Sequence, residues 1–168
     1  MKTPEPSGAA LTSGMWGSEV TVLFENHSFT TEGCGQFLDL TEDVADLVER
    51  SKVRDGMALV YVPHTTCAVI INESEDGFIA DFQQMLDTLV PSRNYYYRHD
   101  DMSIRTQNID PSDAPNGHSH CRGALIGSNS QTVPIRDGRL MLGRWQRIFF
   151  LELDHSRDRK VFIQVMGA

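Results

Sequence analysis

The chain has 168 residues, 40% of them hydrophobic, and a formal net charge of −8 at pH 7. This length and composition suit a single domain with its own hydrophobic core. The acidic charge argues against nonspecific binding to nucleic acid or to an anionic membrane, and no apolar run approaches the length of a membrane span.

Cysteine usage indicates the compartment. Cys34, Cys67 and Cys121 are widely spaced, odd in number and contain no CxxC pair. We therefore expect no disulfide framework, and we expect the protein in a reducing compartment. The N-terminus has no apolar signal core, so we predict a cytoplasmic protein.

Residues 1–18 are rich in Gly, Ser, Pro and Thr and predict a flexible leader before a domain at 19–168. Val20, Val22 and Phe24 then alternate with other residues at the period of a strand, and a second strand is expected at 28–31. Apolar residues at helical spacing predict a helix over 39–52, with cations near its end.

The middle of the chain alternates strand and helix signals. MALVYV (57–62) and CAVIIN (67–72) read as strands on either side of a break at His64. Apolar residues from Phe78 to Leu89 predict a helix capped by Ser74 and stopped by Pro91. Residues 102–116 lack periodicity and predict a long surface loop.

Beyond residue 120 the pattern favours β structure. RGALIG, QTVPI, RLMLG, WQRIFFLELD and RKVFIQVM read as successive strands, with a hairpin turn at Arg136-Asp137-Gly138. We therefore predict a single α+β domain, with a large mostly antiparallel mixed sheet and helices packed on it.

Histidines provide the first candidate site. In an extended segment, His118 and His120 would point the same way and could share one metal ion or anion. With His99 and His64 they would give three or four nitrogen ligands of the kind that suits zinc. The alternative is that His118 is a surface residue and His120 a satisfied, partly buried one.

Two carboxylates follow His99 directly. Adjacent side chains in an extended chain face opposite ways, so one of Asp100 and Asp101 is expected to enter a site as a ligand, a partner of a histidine or a general base. The preceding tyrosines at 95–97 would supply an apolar or stacking wall. A solvated turn, and tyrosines packed in a strand, are the alternatives.

The break between the middle strands is a further candidate. His64, Thr65 and Glu73 lie near the predicted helix start at Ser74, where backbone amides favour an anion. Glu73 could instead cap that helix. Cys67 follows in an apolar run and is interpreted as a small buried residue rather than a nucleophile.

Late basic and aromatic residues complete the candidates. Arg139 belongs to a basic cluster between 136 and 160 that could hold a phosphate, although such residues also face solvent along strands. Trp145 and Gln146 follow Gly143 and offer a flat surface and an amide, or else Trp145 anchors the core.

The motifs HTTCAVIINESEDG, YRHDD, NGHSHCRGALIGSNSQTVPIRDGRL, LGRWQRIFF and VFIQVMG occur in an order that resembles the YjbQ family over about residues 19–167. Arg144 and Cys67 depart from many relatives, and His118 matches only some. The resemblance implies an α+β fold, a homotrimer and motif residues that it shares with the family: His64, Thr65, Glu73, His99, Asp100 or Asp101, Asn116, His120, Gly127, Gly138, Gly143, Trp145 and Gln146.

The resemblance also implies an activity. Some members act as a secondary thiamine-phosphate synthase, which joins a pyrimidine diphosphate to a thiazole phosphate and releases pyrophosphate. We therefore expect a small phosphorylated molecule as partner and a divalent metal, Zn or Mg, as a possible cofactor. The chain lacks a Gly-rich phosphate loop and a DDxxD-type motif. The alternatives are a noncatalytic trimer that binds an anion or metal, and a metal-dependent hydrolase using Glu73 or Asp101 to activate water.

Overall fold

The computed structural model describes residues 20–110 and 114–168, so the predicted leader lies outside the described residues. Within these ranges, three α-helices and a short 3₁₀ helix, Arg98–Asp100, accompany eight strands. The helices are α1 (Thr41–Ser51), α2 (Asp76–Leu89) and α3 (Gly117–Ile126). The strands are β1 (Thr21–Thr30), β2 (Phe37–Asp39), β3 (Gly56–Tyr61), β4 (Cys67–Glu73), β5 (Ser130–Arg136), β6 (Arg139–Leu140), β7 (Gln146–Glu152) and β8 (Asp158–Gly167).

The strands of the described residues form two sheets rather than the single large sheet expected. One has the order β1-β8-β3-β5-β6 and the other β2-β7-β4, and each neighbouring pair is antiparallel. The predicted α+β class and antiparallel pairing are confirmed.

The main core lies between the sheets and α1. Val44, Leu47 and Val48 recur on one face of α1 and are buried, as their helical spacing predicts. They pack with side chains from both sheets, including Val60 and Phe150. This core holds β4 and β7 in place, and the candidate site lies beside the start of β4 and the end of β7.

A smaller core covers the other face of the three-stranded sheet. Leu151 and Leu153 pack there against Ala68 and Leu86. β7 is therefore apolar on both faces, which explains its unbroken run IFFL. The N-cap of α2 is Glu75, one residue later than the predicted cap Ser74, because the Glu75 side chain accepts hydrogen bonds from the amides of Gly77 and Phe78.

Two strand predictions were wrong. Residues 28–31 form no separate strand, because β1 pairs continuously with β8 from Thr21 to Thr30. RGALIG is not a strand but the end of α3, which closes at Gly127 in the left-handed region, φ +69°. Among the described residues no helix is both long and apolar enough to cross a membrane.

Candidate functional site

His99 and His120 lie side by side, as the sequence predicted. The 3₁₀ helix carries His99, α3 carries His120, and their ring centroids are 4.3 Å apart with planes tilted by 52°. Both side chains are half-buried. Burial, and then the neighbouring His99, lower the pKa of His120 below its ordinary value, so its ring is neutral at pH 7. A neutral imidazole can accept a proton or bind a metal ion.

Asp100 caps α3. Its Oδ1 accepts hydrogen bonds from the amides of Asn116, at 2.9 Å, and Gly117, at 2.8 Å. A carboxylate at a helix N-terminus satisfies free amides and is favoured by the helix dipole. Asp100 therefore fixes the start of the helix that carries His120 one turn further along.

Asp101 makes a different set of hydrogen bonds from Asp100. Its Oδ1 accepts from the amide and hydroxyl of Ser103, and its Oδ2 accepts from the Tyr96 hydroxyl at 2.7 Å. The Ser103 hydroxyl is the largest cause that lowers the pKa of Asp101. Asp101 thus orders the turn that follows the 3₁₀ helix.

The two-histidine motif does not form a ligand pair. His118 and His120 lie on a helix, where residues two apart diverge by about 200°. The ring of His118 lies 6.3 Å from that of Tyr97, and its Nε2 is 3.2 Å from the Ser119 hydroxyl. The prediction that both rings point one way was wrong because the segment is helical rather than extended.

Asp154 was not predicted as a functional residue, yet it contacts Asn116, His155 and Arg157 at the site. It is 1% exposed, and its carboxylate accepts hydrogen bonds from Asn116 Nδ2 at 2.9 Å and Arg157 Nε at 2.8 Å. It also lies 2.7 Å from His155 Nδ1 and accepts from the His155 amide at 2.8 Å. Asp154 was interpreted only as the end of the predicted strand WQRIFFLELD, and the Asp-His step at 154–155 was the signal that could have identified it.

The bonding of Asp154 sets its charge. Burial raises the pKa of Asp154, but the hydrogen bonds from Asn116 and His155 and the charge of Arg157 outweigh it, so the pKa lies below its ordinary value. Asp154 is therefore a carboxylate at neutral pH. It fixes the Nδ1 side of His155 and directs Nε2 away, while the ring remains 44% exposed.

His64 and Thr65 flank α3. His64 Nε2 accepts a hydrogen bond from the Lys160 amide at 2.9 Å, which leaves the proton of a neutral ring on Nδ1. Burial, and then the charge of Arg159, lower the pKa of His64. A Cβ on Gly123 would lie 3.0 Å from the Thr65 carbonyl oxygen, so glycine lets α3 pack directly on this segment.

Four residues that were predicted to belong to the site lie far from His99 and His120 within one chain: Glu73, Arg139, Trp145 and Gln146. Glu73 pairs with Gln146 at one end of β4 and β7, whereas Cys67 pairs with Glu152 at the other. Six residues of strand separate the two ends by roughly 20 Å. Trp145 adjoins Gln146 and stacks on Arg144 at 4.6 Å, and Arg139 lies in the β5–β6 hairpin of the other sheet.

Within one chain the site has too few ligands for a protein metal centre. No three His, Cys, Asp or Glu side chains come together as a metal-binding group in 20–110 and 114–168. His99 and His120 provide two nitrogens, while Asp100 and Asp154 are already hydrogen-bonded. A protein zinc site uses three or four such ligands.

The comparisons with known proteins agree on one group. The family described as "UPF0047 protein YjbQ-like" matches residues 25–168. A UPF0047 protein of Archaeoglobus fulgidus is 39% identical over 131 residues, which are 78% of this chain and 91% of that protein. One from Methanocaldococcus jannaschii is 33% identical over 149 residues, covering 88% of this chain and 96% of the relative.

Solved structures show the same fold. A protein of unknown function from Sulfolobus solfataricus, described as YbjQ-like, has a TM-score of 0.73 and 29% identity, covering 89% of this chain and 100% of its own. An uncharacterised protein of the yjbq/upf0047 family from Clostridium acetobutylicum has a TM-score of 0.68 and 34% identity, covering 84% and 98%.

Proposed function

Because the chain belongs to the YjbQ (UPF0047) family, we propose that it is an enzyme acting on a small phosphorylated molecule at the site of His99, His120 and His155. The Asp154–His155 pair carries this proposal. A buried carboxylate holds Nδ1 of an exposed imidazole whose Nε2 has no hydrogen-bond partner among the described residues. An imidazole held in this way can exchange a proton with a bound substrate.

The reaction we propose is the group transfer of a thiamine-phosphate synthase, as the resemblance implies. The C–O bond of the pyrimidine diphosphate breaks and its electron pair leaves with pyrophosphate, while the thiazole nitrogen supplies the pair for the new C–N bond. His155 would donate a proton to the departing pyrophosphate. His99 and His120 would donate N–H groups to phosphate oxygens, and Arg157 would add positive charge.

A divalent metal is a further part of the proposal. The two imidazoles suit zinc better than magnesium, which prefers oxygen ligands. One chain supplies only two of these nitrogens, so a third ligand would have to be water, the substrate or a second copy. When bound, such an ion would stabilise negative charge on phosphate oxygens.

We also propose the homotrimer that the resemblance implies. Leu89, Leu125, Met141 and Trp145 are each more than half exposed in one chain, and such side chains are typical of surfaces covered by a partner. A second copy could also bring Glu73, Trp145 and Gln146 to a neighbour's site. The mass in solution, measured by light scattering, tests this directly, and a monomer at all concentrations would contradict it.

Binding without turnover is the second candidate. The close pair of His99 and His120 imidazoles favours this candidate, since the two rings could bind an anion or a metal ion without catalysing a reaction. The hydrolase alternative has less support within one chain, because Asp101 is engaged by Tyr96 and Ser103, and Glu73 lies at the far end of β4.

A coupling assay with both thiamine precursors separates these candidates. Wild type should form thiamine phosphate and pyrophosphate, whereas His155→Gln and His120→Ala should each lose at least tenfold in turnover. His27→Gln is the matched control, because His27 lies on β1 and its side chain contacts the Glu25 carboxylate. Pyrophosphate binding with no turnover by wild type would support the binding candidate, and equal turnover by all four proteins would refute the site.

A further inference from the structure

A second concavity lies between the segment that follows α2 and the start of α3, and the proposed chemistry does not use it. Its volume is about 400 Å³, which is large enough for a substituted aromatic ring. We name it the tyrosine cleft, after the three consecutive tyrosines in its wall. Its lining includes Arg93, Tyr95, Tyr96, Tyr97, Asp101 and His118.

Three tilted rings shape the cleft. The ring centroids of Tyr95 and Tyr97 are 4.9 Å apart at 51°, and those of Tyr97 and His118 are 6.3 Å apart at 55°. Tyr97 is fixed because its hydroxyl donates to the Pro91 carbonyl at 2.7 Å. A Cβ on Gly117 would lie 2.5 Å from Tyr97 Cβ, so the glycine is what admits this side chain. The wall is thus built by contacts that hold its central ring.

The charges around these rings favour a cation. Asp100 and Asp101 both line the cleft, against the single guanidinium of Arg93. The Tyr96 hydroxyl donates to Asp101, which makes its ring more electron-rich.

We propose that the tyrosine cleft binds a small organic cation, with its charged nitrogen against the tyrosine rings and beside the two carboxylates. Aromatic faces attract cations, and quaternary or ring-borne cations lose little hydration on entering such a site. The site is distinct from the His99–His120 pair and does not depend on the proposed transfer reaction.

The test uses three probes of similar size: N-methylpyridinium as the cation, benzyl alcohol as the neutral ring and benzoate as the anion. Titration of the full chain, followed by amide NMR, should show saturable binding of N-methylpyridinium with shifts at residues 93–101. Binding of benzyl alcohol should be at least about tenfold weaker, the scale of one charge contact near a surface. Benzoate should not bind in the cleft. Benzoate binding as tight as that of N-methylpyridinium would overturn the proposal, because it would show that the positive charge of Arg93 decides which ligand binds.

Variants of Tyr95 distinguish the contribution of the aromatic ring to cation binding from the contribution of apolar surface. Tyr95 is 64% exposed and its ring contact is with Tyr97, so substitution should leave the fold intact. Tyr95→Phe should bind N-methylpyridinium within twofold of wild type, whereas Tyr95→Leu should bind about two- to fivefold more weakly. Tyr61→Leu, an exposed tyrosine on β3, should not change binding. Equal affinity of Tyr95→Leu and wild type would refute the cation site, whatever the result of the turnover assay.

Discussion

The substitution Asp154→Asn tests the central contact of the site. The side chain is 1% exposed and receives hydrogen bonds from Asn116, His155 and Arg157. Asparagine keeps the shape but replaces one acceptor oxygen with an NH₂ group that faces these donors. The variant therefore removes a charge and leaves buried donors without an acceptor, with almost no change in volume.

The magnitude follows from these bonds. Each hydrogen bond to a charged group contributes about 1.5–3 kcal/mol, and breaking a buried ion pair costs about 3–5 kcal/mol. Since one oxygen of the amide still accepts, we expect the free energy of unfolding to fall by about 3 kcal/mol at pH 7. Asp158→Asn is the control, because that exposed carboxylate accepts from a single hydroxyl, Thr30 Oγ1, and its loss should cost under about 1 kcal/mol.

The pH dependence gives a second readout. Because the pKa of Asp154 is lower when folded than its ordinary value of 3.8, its stabilisation is fully present above that value. It is lost as the pH falls through the folded pKa, where wild type and variant should converge. Urea unfolding followed by circular dichroism measures the difference. A loss below about 1 kcal/mol at pH 7 would refute the central role assigned to Asp154.

Three further substitutions test other contacts. Gly117→Ala should lower the free energy of unfolding by about 1–3 kcal/mol, since its Cβ would lie 2.5 Å from Tyr97 Cβ; an unchanged urea midpoint would contradict that packing. The His120 imidazole should titrate below 6.5, because burial and His99 lower its pKa, and NMR of His99→Gln should show that pKa rising. Neutral His120 therefore contributes stability above pH 6.5 that is lost on acidification through its folded pKa. Arg122→Met should cost about 2–4 kcal/mol, because the 3% exposed guanidinium ties α3 to the end of α2; hydrogen exchange should show the end of α2 fraying first.

Local patterns predicted much of the framework. The apolar spacing in α1 and α2 and the alternation in β1 are properties of neighbouring residues, so a single sequence reveals them. The β5–β6 turn is similar, because Asp137 and Gly138 have positive φ of 51° and 74°, which Asp-Gly adopts readily.

The helix α3 was missed because its stability comes from distant residues. Its amides are capped by Asp100, sixteen positions earlier, and Gly123 packs on the Thr65 carbonyl. Buried Arg122 occupies a position where an apolar residue would have marked the helical period. No window of neighbouring residues contains these contacts.

The sequence by itself determined the acidic single-domain α+β framework and singled out His99 and His120 as candidate site residues, while the family resemblance added Asn116. Only the tertiary structure decided which of them meet. It separated Glu73 and Gln146 from them by the length of β4, turned His118 away through the helical pitch, and made buried Asp154 the common partner of Asn116 and His155. The reason is that periodicity encodes which face of an element is buried, whereas the meeting of polar side chains depends on how those elements pack.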